Sequence, residues 1–222
     1  ENKENGRRIT RYEAKYTNCQ THERKWHAED FFREDVREGK LAKLIDENQG
    51  GTISIYLTFQ PCNWSITTKR DGTAGSREDH SCCETLEDII VNQLRPRKIH
   101  LCVKPTHPYR LEIKHGVAND NENYVAHTNF RNANEEVKNK HLRENAERGI
   151  KRLMRLNAES SDVDVSAMTR KDWEYLRSIS AITQTFSDAE YHQRKELDQY
   201  IQKIIDEIRN PVLQQPNQGN EA

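Results

Sequence analysis

A histidine, a glutamate and two cysteines of the types found in hydrolytic zinc sites lie in the first half of the chain. His27 and Glu29 are two positions apart, and Cys62 and Cys82 follow downstream. Histidine and thiolate side chains hold Zn²⁺, and catalytic sites leave its fourth coordination position to water. A carboxylate that is not a ligand then moves protons for that water. The residues therefore predict a zinc site with His27, Cys62 and either Cys82 or Cys83 as ligands and Glu29 as the catalytic residue.

The third ligand position has alternatives. Cys83 follows Cys82 directly, and both residues fall near the edge of the apolar face of a predicted helix, so helical phase does not separate them. Ser81 and Glu84 form a capping box at the start of this helix. A cysteine at a helix N-terminus has a lowered thiol pKa, which helps it to bind metal as thiolate. His80 is a further alternative ligand.

Periodicity predicts the elements that position these residues. Ala28, Phe31, Phe32 and Val36 recur at helical spacing, so a helix begins at the His-Ala-Glu triplet. Apolar and polar residues alternate over 52–59, which predicts a strand that ends before Pro61. Strand patterns recur at 99–103 and 163–167, and helical patterns lie between and after them. This alternation indicates an α/β architecture with parallel pairings.

Composition and charge bound the class of protein. The chain has 222 residues, of which 33% are hydrophobic and 32% charged, and its net charge is -1. We expect a single domain over 9–210, with polar insertions at 63–81 and 111–140. A flexible arm (1–8) and a disordered tail (211–222) are expected to flank it. Indiscriminate nucleic-acid affinity is not expected without a basic excess.

Cysteine number and hydropathy limit the partners. Five cysteines, an odd number, argue against a complete disulfide framework and suit metal binding better. No apolar run approaches the roughly 20 residues of a membrane span, so no membrane partner is expected. The compartment, either intracellular or secreted after removal of a signal, stays open. The oligomeric state stays open as well.

Four segments carry a resemblance to a known family. His27-Ala28-Glu29 resembles the H-x-E motif of zinc nucleobase deaminases, whose signature continues as P-C-x-x-C. The segment 58–62 (TFQPC) is similar to the S-W-S-P-C segment of the AID/APOBEC-like polynucleotide cytidine deaminases. Cys82 and the apolar residues after it resemble the family's second cysteine, which favours Cys82 over Cys83. Residues 163–179 (VDVSAMTRKDWEYLRSI) resemble its late strand and helix. The non-vertebrate or secreted branches of the family are the most similar.

The resemblance implies a fold and an activity. The fold is a five-stranded mixed sheet of order 2-1-3-4-5 with helices on both faces. The activity is zinc-dependent deamination of cytosine to uracil in single-stranded DNA or RNA, a nucleic-acid editing reaction often used in immunity. A substrate-selecting loop would occupy 104–110, where Tyr109 could stack on a base and Arg110 could meet phosphate. Phe59 would form the floor of the base pocket, although as an alternating strand residue it could equally belong to the core. Trp64 would lie near the metal or serve as a loop anchor.

The chain departs from the family in one place. The family's second cysteine follows the first by two to four residues, whereas 19 residues separate Cys62 from Cys82. A loop can leave and return at modest entropic cost, so the metal site survives this insertion. Two other functions remain open: deamination of free cytidine or deoxycytidine, and a catalytically silent zinc protein that binds nucleic acid. Intact Glu29 argues against the silent protein.

Overall fold

The computed structural model describes ten segments of the chain. They are 2–4, 7–9, 12–20, 25–47, 50–63, 66–68, 74–76, 81–108, 135–180 and 187–213. Among these residues the strands are β1 (Asn2–Glu4), β2 (Arg7–Ile9), β3 (Cys19–Gln20), β4 (Lys25–Trp26), β5 (Gly51–Leu57), β6 (Ile66–Thr68), β7 (Ala74–Ser76), β8 (Ile99–Pro105) and β9 (Val163–Val165). The α-helices are α1 (Ala28–Glu38), α2 (Lys40–Glu47), α3 (Cys82–Ile89), α4 (Glu135–Ser160), α5 (Arg170–Ile179) and α6 (Asp188–Leu213). A π-helical segment (Ile90–Leu94) and a 3₁₀ turn (Arg95–Arg97) follow α3.

A three-stranded parallel sheet of order β5-β8-β9 lies at the centre of the fold. Ile55 pairs with Val103, and Val103 pairs with Val165. Side chains of β8 alternate between buried and half-buried, as expected for a strand with one face in the core. α3 connects β5 to β8, and α4 lies between β8 and β9 in the chain. The predicted α/β architecture with parallel pairings is therefore confirmed.

The remaining strands form antiparallel pairs. β1 pairs with β2, β3 with β4, and β6 with β7. β1 also approaches β5, since residues of the two strands have Cα atoms within 8 Å. The hydrogen-bonded central sheet of the described segments has three strands, so the five-stranded mixed sheet stays a prediction. The predicted domain limits are likewise untested, although β6 and β7 lie inside the predicted 63–81 insertion.

The core lies between the sheet and four packed helices. α3 packs against α1 and α4, and α4 packs against β9 and α6. Ser81 caps α3 as predicted by accepting a hydrogen bond from the backbone N–H of Glu84, but the Glu84 carboxylate pairs with Arg152 and does not complete the capping box. At the start of α5, Thr169 accepts a hydrogen bond from the backbone N–H of Asp172. Fully buried members of the core are Leu86, Ile89, Ile90, Leu94, Leu101, Val103, Ile150, Leu153, Val163, Ile201 and Ile205. These contacts hold α1 and α3, which carry the candidate ligands, in fixed positions.

Candidate metal centre

His27 is placed by the first turn of α1. It is the N-cap residue, with an extended backbone, and its N–H donates to the carboxylate of buried Asp30 at 2.9 Å. The next amide, of Ala28, donates to the side chain of Asn18 at 2.9 Å. These bonds satisfy N–H groups that a helix start leaves without intrahelical partners. The histidine ring therefore projects from a fixed helix terminus.

Cys62 and Cys82 are brought together by the end of β5 and the start of α3. Cys62 follows the strand by a few residues, and its carbonyl accepts a hydrogen bond from the Cys83 backbone N–H at 3.0 Å. Cys82 is the first residue of α3, immediately after the capping Ser81, and is buried. The thiols therefore face one region although 19 residues separate them in the sequence.

The three candidate ligand atoms have spacings that suit a tetrahedral metal. His27 Nδ1 lies 3.2 Å from Cys82 Sγ and 3.6 Å from Cys62 Sγ. All three ligand atoms lie within 4.8 Å of one another. Metal–ligand bonds of about 2.0–2.3 Å at tetrahedral angles place such atoms roughly 3.5–3.8 Å apart. The His27/Cys62/Cys82 group, called the triad below, can therefore hold a metal ion.

Crowding of the triad shifts its pKa values. A hydrogen bond with Cys62 is the main cause that raises the pKa of His27, and partial burial opposes this. The Cys82 thiol has a strongly raised pKa, chiefly because of its hydrogen bond with Cys62 and its burial. Two neighbouring thiolates are unfavourable without a cation between them, whereas a coordinating thiol is deprotonated outright. The electrostatics of the triad thus favour occupation by a cation.

Glu29 lies beside the triad on the first turn of α1. Burial is the main cause that raises its pKa, and hydrogen bonds with its own backbone N–H and with the Cys82 thiol lower it. The carboxylate is close enough to Cys82 to hydrogen-bond with its thiol, and it does not belong to the group of three ligands. A half-buried carboxylate next to a metal-binding group is suited to exchanging protons there.

Cys83 has a different environment from Cys82. Its thiol donates to the carbonyl of Pro61 at 3.4 Å, and the residue is completely buried. A Cβ atom built on Gly149 of α4 would lie 2.6 Å from the Cys83 sulfur. Cys83 is therefore packed between α4 and residues 61–63, which are called the ligand loop below. Cys82 is the cysteine that joins the triad.

The predicted substrate contacts are only partly described. Phe59 is 51% exposed, and its ring centroid lies 5.9 Å from that of His107. Phe59 follows β5 at the same edge of the sheet as the residues after β8. Because about half of its side chain is exposed, it is a surface aromatic and not a core residue. The other predicted contacts, Trp64, Tyr109 and Arg110, and the alternative ligand His80 lie outside the described segments.

Two residues near the site were missed in the sequence. Gly149 lies within α4 at a point where a Cβ atom would clash with Cys83 and Asn63. A glycine inside a strong helical pattern is the signal that could have identified it, because such a residue usually has a packing reason. His107 lies inside the predicted substrate-selecting loop at 104–110, but no role was predicted for its ring, which the structure places beside Phe59.

In comparisons with known proteins, no family model, curated protein or solved structure matches the chain. In the segments that the structure describes, none of the helices is both long and apolar enough to cross a membrane.

Proposed function

We propose that this chain is a zinc-dependent deaminase of the AID/APOBEC-like family that converts cytosine to uracil in single-stranded DNA or RNA. The observation that carries the proposal is the triad together with Glu29 beside it. His27, Cys62 and Cys82 would hold the metal, and Glu29 would move protons. The sequence resemblance supplies the reaction class.

The donor set supports zinc. One imidazole nitrogen and two thiolates form a soft set of ligands, which suits Zn²⁺ far better than Mg²⁺ or Ca²⁺. Three protein ligands with a carboxylate nearby match the catalytic class of zinc site, whereas structural zinc sites use four protein ligands. When bound, the zinc ion supplies a water molecule activated for attack at neutral pH.

Glu29 has the proton-transfer role in this proposal. Its carboxylate accepts a proton from the attacking water and delivers it to the ring nitrogen of cytosine, and then carries a second proton to the leaving amine. One water is consumed, C4 gains oxygen, and ammonia leaves. The partly buried environment of Glu29 supports this role, because a raised carboxyl pKa brings the group nearer to the pH at which it must both accept and donate.

The position of the triad in the fold supports a catalytic site. Cys62 lies just beyond the carboxyl end of β5, and ligands of α/β sheets bind outside the carboxyl ends of the strands. The approach of β1 to β5 supports a sheet of order β2-β1-β5-β8-β9. If these five strands are renumbered 1 to 5 in chain order, this arrangement corresponds to the 2-1-3-4-5 order of the cytidine-deaminase fold.

An exposed aromatic surface supports a nucleobase substrate. Phe59 and His107 lie side by side where β5 and β8 end, and a hydrogen bond from the Thr106 hydroxyl to the Thr58 carbonyl at 3.0 Å joins their two loops. Aromatic rings on single-strand-binding proteins stack on bases, largely independently of sequence. A surface position suits a base within a longer strand better than it suits an enclosed free nucleoside.

The test is a deamination assay on single-stranded DNA, single-stranded RNA and free cytidine, with bound zinc measured on the same samples. We expect uracil on at least one polynucleotide. Glu29→Gln should keep zinc and lose at least about 100-fold of the activity, because the variant cannot exchange the proton. Cys82→Ala should lose both zinc and activity, whereas Cys83→Ala is the matched control with an adjacent buried thiol and should keep both.

The outcomes separate the alternatives. Turnover of free cytidine alone would replace the polynucleotide with a nucleoside substrate. Bound zinc without product on any of the three substrates would favour a silent nucleic-acid-binding protein. Full activity in Glu29→Gln would refute the role assigned to that carboxylate.

A further inference from the structure

The two cysteine ligands flank a long excursion of the chain whose ends are joined by buried side chains. Asn63 follows Cys62, and Ser81 precedes Cys82. Asn63 is 7% exposed and Ser81 is 5% exposed. The Ser81 hydroxyl donates to Asn63 Oδ1 at 3.1 Å, so the residue after one ligand is bonded directly to the residue before the other.

The other end of the Asn63 amide reaches a helix. Asn63 Nδ2 donates to the backbone carbonyl of Asn145 in α4 at 3.2 Å. Because a carbonyl only accepts, this contact fixes which end of the amide faces Ser81. Ser81 in turn accepts from the Glu84 N–H and so caps the helix that carries Cys82. The Asn63 side chain therefore links the segment that contains Cys62 both to the start of α3 and to α4.

Close packing leaves Asn63 little freedom to move. A Cβ atom built on Gly149 of α4 would lie 2.7 Å from Asn63 Cβ, so only glycine lets the helix come this near. A further hydrogen bond, from the Cys83 N–H to the Cys62 carbonyl, joins the same two segments as the Ser81–Asn63 bond. The ligand segments are thus held to each other and to a core helix.

From these contacts we infer that Asn63 is a positioning residue that sets the separation of Cys62 and Cys82 and thereby the affinity of the site for metal. The inference rests on the metal site of the proposed function and not on the deamination reaction. Asn63 does not itself reach the metal ligands' donor atoms in this arrangement; it acts through the backbone on either side of them. Supporting residues of this kind typically change metal affinity by about 10–100-fold when they are lost.

The experiment is a Co²⁺ titration of the metal-free protein, read from the thiolate-to-cobalt and ligand-field absorption bands. Asn63→Ala should weaken Co²⁺ binding by about 10–100-fold and reduce the intense ligand-field bands of tetrahedral coordination. Asn63→Asp keeps the shape and an acceptor for Ser81 but loses the donor to Asn145. It should also weaken binding, and it carries the test if the alanine variant fails to fold.

The matched control is Asn92→Ala. Asn92 is an exposed residue whose amide donates to Asp88 at 2.7 Å, away from the ligands. This variant should bind Co²⁺ as the unmodified protein does, and melting temperatures of all variants should be measured alongside. A purely structural role of Asn63 would lower the melting temperature and leave affinity and spectrum unchanged.

Three results would overturn the inference. Asn63 variants that bind Co²⁺ as tightly as the unmodified protein would show that the link does not set affinity. An equal loss in Asn92→Ala would show a general effect of removing an asparagine. Failure of the unmodified protein to bind Co²⁺ would remove the metal site as well. Loss of deaminase activity alone, with these titrations as expected, would refute only the proposed reaction.

Discussion

Replacement of Gly149 by alanine tests whether α4 supports the ligand loop. In an ordinary helix this change is stabilising by about 1 kcal/mol, because alanine has the higher helix propensity. At this position the new methyl group would lie 2.6 Å from the Cys83 sulfur and 2.7 Å from Asn63 Cβ. Both neighbours are buried, so neither can swing into solvent.

The overlap is large enough to reverse the usual sign. Heavy atoms in contact prefer separations of about 3.5–4.0 Å, so the loop or the helix must shift by about 1 Å. Overpacking of this kind costs about 1–3 kcal/mol. After the gain in propensity is subtracted, we expect Gly149→Ala to lower the free energy of unfolding by about 1 kcal/mol, or the melting temperature by about 2–4 °C.

Urea unfolding followed by circular dichroism measures this change. Arg155→Ala, at an exposed position on the same helix, is the control and should stay within about 0.5 kcal/mol of the unmodified protein. The double variant with Cys83→Ala should be destabilised by less than the sum of the single changes, because the sulfur that blocks the methyl group is gone. A Gly149→Ala protein as stable as the original, or more stable, would refute the close packing.

Two further predictions concern the supports of the fold. Burial opposes ionisation of Asp35, but hydrogen bonds from the Tyr12 and Tyr16 hydroxyls outweigh burial and hold the Asp35 pKa below its usual value. A carboxyl group whose pKa is lowered by folding contributes stability above about pH 4, and this stability is lost as the pH falls through the pKa of the folded state. Tyr12→Phe should therefore destabilise the protein by about 1 kcal/mol at pH 7 and by less at pH 3. Equal losses at both pH values in urea unfolding would contradict this. Arg194 stacks on the Trp173 ring at 4.6 Å and pairs with buried Asp198 at 3.2 Å. Arg194→Met should lower the unfolding free energy by about 3 kcal/mol because it leaves that carboxylate without its cation, and a loss below about 1 kcal/mol would show that the pair contributes little.

Local pattern was sufficient for the elements that carry the ligands. Helical spacing after the His-Ala-Glu triplet predicted α1, and alternation predicted β5, which the structure forms at Gly51–Leu57. The capping pattern at Ser81 predicted the start of α3. Each of these signals lies within about eight residues, which is the range over which helix and strand periods are expressed. The elements followed from these signals, whereas their exact ends did not: the strand predicted over 52–59 ends at Leu57.

Contacts between residues far apart in the chain could not be predicted from local sequence patterns. Nothing near Asn63 in the sequence indicates that its amide contacts Asn145, because the two residues are 82 positions apart. The choice between Cys82 and Cys83 also depended on α4, whose Gly149 faces Cys83. Sheet order is a property of pairing between distant strands, which explains why β5, β8 and β9 were recognisable as strands while the neighbours of β5 were not fixed.

The insertion between the cysteines can be removed if the links at its ends hold the site. Residues 64–80 contain β6 and β7, which pair with each other, and the excursion begins and ends at the bonded Asn63 and Ser81. Shortening these 17 residues to a four-residue Gly/Ser linker should reduce the loop-closure cost by about 1 kcal/mol.

We therefore expect the shortened protein to unfold at no lower urea concentration than the original and to bind Co²⁺ with similar affinity. A linker of the same composition with 17 residues is the control for the loss of β6 and β7. If the short linker abolished Co²⁺ binding while the long one kept it, the ends would be strained when brought together, and the buried Asn63–Ser81 bond would not be the element that sets their separation. If both linkers abolished binding, residues of the insertion itself would be needed to complete the metal site.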